Sequence, residues 1–157
     1  MRQNPETDEA ELAAQEELKR AYMQVSFGQF DQAIESCERA ARHLPDHHLP
    51  AALKGSFELA AGRVREALGT LRQATRRWND QPLPWLYFAE ACFLGGRRRQ
   101  GLRALDKAEK HAARMEQGEQ VAQIGELIDE LRQIWKAVEP TEMPPPLVAQ
   151  TGGANQR

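Results

Sequence analysis

The chain has no apolar run long enough to cross a bilayer, only two cysteines, and few aromatic residues, 6% of the total. The first absence excludes a membrane-spanning helix. Cys37 and Cys92 lie far apart and form no C-x-x-C pair. They read as small buried apolar residues in a reduced compartment, not as a redox couple or zinc ligands. The opening residues, Met1 to Glu6, are polar and turn acidic, so no signal peptide is expected and the cytoplasm is the expected location. Catalytic signatures are missing too. There is no G-x-x-x-x-G-K-[ST] loop to cradle phosphates, and none of Ser26, Ser36 and Ser56 sits in a nucleophile-elbow context. Asp46-His47-His48 is the one run of metal-ligating types, but it has no third ligand at hand and reads as a solvated loop. His43 and His111 read as helix-end residues, where a cation suits the dipole. Neither an enzyme, a cofactor nor a bound metal is expected.

What is present is length and an uneven charge. The 157 residues make room for one domain with a core that needs no staples. Formal net charge is −2. Residues 1–40 carry nine acids against four bases, whereas residues 61–114 carry twelve bases against five acids. A basic middle between acidic ends could attract an acidic surface or nucleic acid. Arg76-Arg77, Arg97-Arg98-Arg99 and Arg103 are the residues that would meet phosphates. No aromatic is interleaved with them to stack bases, so a solvated face is the better reading and nucleic acid is not the expected partner.

An internal repeat organises the chain. Gly28, Gly62 and Gly96 are spaced 34 residues apart. The same stride joins Ala21, Gly55 and Ala89; Ala33, Ala67 and Gly101; Ile34, Leu68 and Leu102; Cys37, Leu71 and Leu105; and Ala40, Ala74 and Ala108. Each column has a physical task. The glycine closes one helix with a turn at positive φ, and the small residues let two antiparallel helices cross closely. The Ile34, Cys37 and Ala41 face and its copies have helical spacing. Breakers fall between the pairs: Pro45-Asp46, Pro50, Asn79-Asp80, Pro82 and Pro84.

A helix–turn–helix unit of this length, with small residues at the crossing and a late glycine, resembles the tetratricopeptide repeat (TPR). Trp85, followed by Ala89 before Gly96, is similar to the consensus tryptophan and small residue of a first helix. The resemblance implies an all-α fold of three TPR repeats in a short right-handed superhelix. It also implies that the first helix of each repeat lines a concave groove holding a protein or peptide client. The groove residues so implied are Leu18, Tyr22 and Val25; Leu49, Ala52, Ser56 and Leu59; and Leu83, Leu86, Glu90 and Phe93. Leu18, Tyr22, Leu59, Leu86 and Phe93 would be apolar anchors, with Glu90 aligning the client backbone. A TPR subclass grips chaperone C-termini through a carboxylate clamp. Leu18, Tyr22, Leu53, Leu83 and Tyr87 stand at the matching positions and cannot do so, which excludes that client class.

More narrowly, Gln81-Pro82-Leu83-Pro84-Trp85 and Phe88-Ala89-Glu90-Ala91-Cys92 resemble the third-repeat entry of type III secretion translocator chaperones of the SycD/LcrH type. That resemblance implies a cytoplasmic export chaperone that masks an aggregation-prone client. The chain departs from that group in having only about a dozen polar residues before its first repeat, where those proteins carry a leading helix.

Beyond the third repeat, Val121, Ile124, Ile128, Leu131, Trp135 and Val138 alternate steps of three and four, an a/d seam on one helix. A solenoid needs its last apolar face covered, so this helix is expected to be a cap. A homodimer or assembly contact through Val121, Ile124, Ile128, Leu131 and Trp135 is the alternative use, and would make the chain a structural subunit of a larger complex. The expected organisation is a frayed N-terminus (1–13), three repeats (14–47, 48–81 and 82–115), a capping helix (116–138) and a disordered Pro- and Gly-rich tail (139–157).

Overall fold

Asn4 opens the first helix: its side chain accepts a hydrogen bond from the Glu6 amide at 3.3 Å, Pro5 fills the first helical position, and Glu6 and Asp8 face the positive end of the dipole. The computed structural model describes residues 4–137 as seven helices and no strand. They are α1 (Pro5–Ser26), α2 (Phe30–His43), α3 (Leu49–Ala60), α4 (Val64–Arg77), α5 (Pro82–Leu94), α6 (Arg98–Ala112) and α7 (Glu119–Ala137). Residues 5–13, expected to fray, are helical instead, because the cap and acidic first turn start α1 nine residues ahead of residue 14. The expected tail, 139–157, lies outside the described residues.

Three hairpins, α1–α2, α3–α4 and α5–α6, repeat one turn. Gly28, Gly62 and Gly96 have φ of +73°, +79° and +73°. In each turn the glycine amide donates to a carbonyl three residues back, at 2.9, 2.9 and 3.1 Å for Val25, Leu59 and Phe93. The next amide reaches back five residues, at 2.8, 2.9 and 2.7 Å for Gln24, Glu58 and Cys92. This bond pair is the Schellman closure, which needs a left-handed residue that glycine adopts without strain.

The hairpins stack so that α3 packs on α5, while α2 reaches α3 and α4 reaches α5. Among the described residues the second helices α2, α4 and α6 make no comparable packing with one another. α3 and α5 therefore form the inner layer, α1 meets α3 through Tyr22 against Phe57, and the second helices splay on the outside. α7 takes the place of a further first helix, packed on both α5 and α6. Small residues set the crossings. A Cβ on Gly55 would lie 2.4 Å from Leu71 Cγ, and one on Gly101 would lie 2.9 Å from Trp135 Cη2. Two apolar cores result. One joins the second and third repeats to α7, the other joins the first repeat to Leu53 and Phe57 of α3, and Tyr87 packs against both.

Candidate client-binding surface

The stride that defines the repeats also sorts the inner face column by column. Leu18, Ala52 and Leu86 occupy equivalent places and are all buried, at 8%, 0% and 2% exposed, and Leu59 is buried at 8%. All four were expected to line the groove, and Leu18, Leu59 and Leu86 to anchor a client. They belong to the core instead, because they point at neighbouring helices and not at the hollow. Phe93 is half-buried and stacks on Trp135 of α7, ring centroids 4.9 Å apart, so the cap covers it. Leu49 is likewise partly buried against the first-repeat core.

What the inner helices leave accessible is a more polar strip. Tyr22 is 54% exposed and meets Phe57 edge-on at 5.4 Å. Ser56 and Glu90 stand one and two strides further on, both half-buried, and Leu83 and Val25 are also partly accessible. Burial pushes the Tyr87 phenol up to about 12, with Tyr22 and Glu90 adding to the effect, which brings these three groups within one electrostatic neighbourhood. Burial likewise raises the Glu90 carboxyl above its ordinary value. Exposed Lys19, Ser26 and Leu94 continue the same face, one turn apart from these residues on α1 and α5. Tyr87 was not among the expected site residues. The signal that could have found it is its place one stride after Leu53, among the positions that match the carboxylate clamp.

The α7 seam turns inward. Ile128 and Trp135 are sealed at 2% and 1% exposed, and Ile124 and Leu131 pack partly buried against the same core. Val121 is half-buried. Ile128 and Trp135 are thus corrected from oligomer contacts to cap residues, since α5 and α6 already cover them. Arg132 ties the cap to α6 through Asp106, at 2.9 Å, and Glu109. Leu127 and Ile134, 44% and 43% exposed, are the apolar residues that α7 leaves outside.

The remaining candidates have structural settings. The thiols of Cys37 and Cys92 are buried, which pushes them up to about 12 and about 11, far from a reactive thiolate. Asp46 binds the next repeat: its carboxylate pairs with Arg77 at 3.1 Å and its carbonyl accepts from Trp78 Nε1 at 2.9 Å. His47 and His48 stack at 4.7 Å, and burial with the His47 charge lowers His48 to about 4. Among the described residues no cluster of three His, Cys, Asp or Glu is poised for a metal, and no helix is long and apolar enough to cross a membrane.

No protein-family model and no curated protein matches the sequence. Solved structures do. The type III secretion translocator chaperone SycD of Yersinia enterocolitica superposes with a TM-score of 0.61 at 12% identity, covering 77% of this chain and 92% of its own. The TPR2B domain of yeast Sti1, solved as a pHsp70 complex, gives 0.60 at 15% identity over 83% and 98%. The Sgt2 TPR domain of Aspergillus fumigatus gives 0.58 at 14% identity over 90% and 87%. At these identities the likeness speaks for architecture: three helical hairpins and a closing helix in the fold of tetratricopeptide-repeat domains.

Proposed function

We propose that this chain is a non-enzymatic protein-interaction module that holds an extended or partly unfolded client segment along its first helices. The observation that carries the reading is the strip of Tyr22, Tyr87, Leu83 and Leu94 around Ser56 and Glu90, a mixed aromatic, apolar and polar surface left at least partly accessible on a layer that otherwise buries its leucines. Tyrosines supply large contact area at low entropic cost, and Glu90 with Ser56 can accept from client amides. Burying two or three client side chains contributes about 1.5–3 kcal/mol each, which after ordering costs gives an affinity near the micromolar range. In its finer form the proposal is a cytoplasmic secretion chaperone, supported by the likeness to SycD.

Panning a random dodecapeptide library on the chain tests the surface. Enriched peptides should lose roughly tenfold in affinity against Tyr22→Glu, Leu94→Glu with helical circular dichroism unchanged, as expected for hot-spot loss. Equal binding to that variant would place the client elsewhere. A second reading, a structural subunit assembled through α7, draws on exposed Leu127 and Ile134. Sedimentation of Leu127→Glu, Ile134→Glu decides it, since an assembling subunit would lose its oligomer.

A further inference from the structure

Because the second helices splay, two clefts open between them on the outer side, each floored by a first helix. The cleft between α2 and α4, about 310 Å³, holds Glu38, Lys54 and Arg77. Its charges are balanced: Lys54 pairs with Glu38 at 3.2 Å and Arg77 with Asp46 at 3.1 Å. The cleft between α4 and α6, about 300 Å³, has the same place one repeat later and the opposite character. Arg72 stands where Glu38 stood, and Arg76, Arg103 and Lys107 join it around Trp85 and Phe88, with no acid in the lining. Lys107 lies over the Trp85 ring, 4.3 Å from its centroid. The acids that α6 does carry, Asp106 and Glu109, are held by Arg132 on the α7 side. α6 also begins with Arg98 and Arg99 and has no acid in its first turn, whereas α2 and α4 have Asp31 and Glu66 there. Four cations facing one narrow cleft repel one another, an arrangement the neutral cleft avoids.

We propose that the outer cleft between α4 and α6 binds an acidic peptide segment, carboxylates meeting Arg72, Arg76, Arg103 and Lys107 above the Trp85–Phe88 floor. Charge complementarity favours carboxylates, which arginine forks bind bidentately. A nucleic acid fits less well. Lys107 already occupies the ring face a base would stack on. The site is independent of the inner strip and stands or falls separately from it.

The test is fluorescence anisotropy of labelled octaglutamate against the full chain at low salt. Arg76→Glu, Arg103→Glu should weaken binding by about tenfold or more, since both residues are exposed and line the cleft. The control Arg42→Glu, Arg114→Glu, with the same change in net charge at exposed sites outside the cleft, should cost no more than about threefold. Absence of octaglutamate binding, or equal losses in the two variants, overturns the proposal. So does tighter binding of a short DNA duplex that is lost in the cleft variant. The milder Arg76→Gln, Arg103→Gln pair repeats the comparison should charge reversal unfold the chain.

Discussion

In the first repeat Glu17 on α1 pairs with Arg39 on α2 at 3.1 Å, Arg39 donates to Ser36 at 2.8 Å, and Ser36 donates to Gln24 at 2.7 Å. Two strides later the same four places hold Trp85, Lys107, Ala104 and Cys92: a cation over an indole, and two small apolar residues. The second repeat lies between, with Ala51, Gln73, Thr70 and Glu58. The backbone is the same in all three, so glycine turns and small crossing residues set the hairpin, while the chemistry of the seam is free to vary. The setting differs too: the third repeat sits under α7 and shares in a core of fourteen buried residues, whereas the first, at the open end, shares in one of nine.

The largest test of that contrast is Trp135→Ala. Trp135 is 1% exposed, stacks on Phe93 and presses on Gly101, so truncation leaves a cavity in the larger core. A loss of about 3–5 kcal/mol in urea unfolding is expected. Native-state hydrogen exchange should rise first in α5–α7 while α1 and α2 are spared; uniform exposure would mean that the two cores are one cooperative unit.

A smaller break comes from Gly55→Ala, whose new Cβ would meet three Leu71 carbons at 2.4 to 2.9 Å. Overpacking should cost about 1–3 kcal/mol despite alanine's better helix propensity. Gly69→Ala, in the same hairpin but with open space around it, should instead gain up to about 1 kcal/mol. Matching signs for the two would show that propensity, not the crossing, governs the column.

These glycines explain what could be read from sequence. A left-handed turn and a close crossing each admit almost no other residue, so Gly28, Gly62, Gly96 and the small columns announced the hairpins directly. The inner face was less legible. α5 is apolar on every side, from Leu83 and Trp85 to Leu86, Phe88 and Phe93, so no polar stripe marks the side that meets solvent. Which leucine is sealed depends on α3 and α7, and Leu86 and Phe93 went to the core for that reason. The start of α1 was missed for the opposite reason. Its first turns carry Glu6, Asp8, Glu9 and Glu11 with no apolar period, although Asn4-Pro5 was a capping signal in plain view.

Breaking the polar seam itself should have a moderate effect. Arg39→Gln removes the cross-helix partner of Glu17, whose side chain is only 16% exposed and keeps Arg20 at 3.2 Å, and the donor to Ser36. A loss of about 1 kcal/mol is expected, because the seam loses its bonds across the two helices. Exchange should quicken in α1 and α2 and leave α5 and α6 unchanged, the mirror image of Trp135→Ala.

The smallest change sharpens the contrast at the middle repeat. Glu58, 4% exposed, occupies the place of Gln24 and Cys92, and its Oε1 has no hydrogen-bond partner. Burial holds its carboxyl above the ordinary 4.5, more than the Thr70 hydrogen bond lowers it. A raised folded value means that the native state binds this proton more tightly than the unfolded chain does. Stability therefore falls as pH rises past 4.5, and the deficit is complete above the folded value. Glu58→Gln places the first repeat's amide beside Thr70 and removes the buried charge. It should gain about 1 kcal/mol at neutral pH and nothing once the pH drops below the ordinary carboxylate value. Urea midpoints at the two pH values check it: an equal gain at both would trace the stabilisation to amide packing alone and clear the carboxylate of any charge penalty.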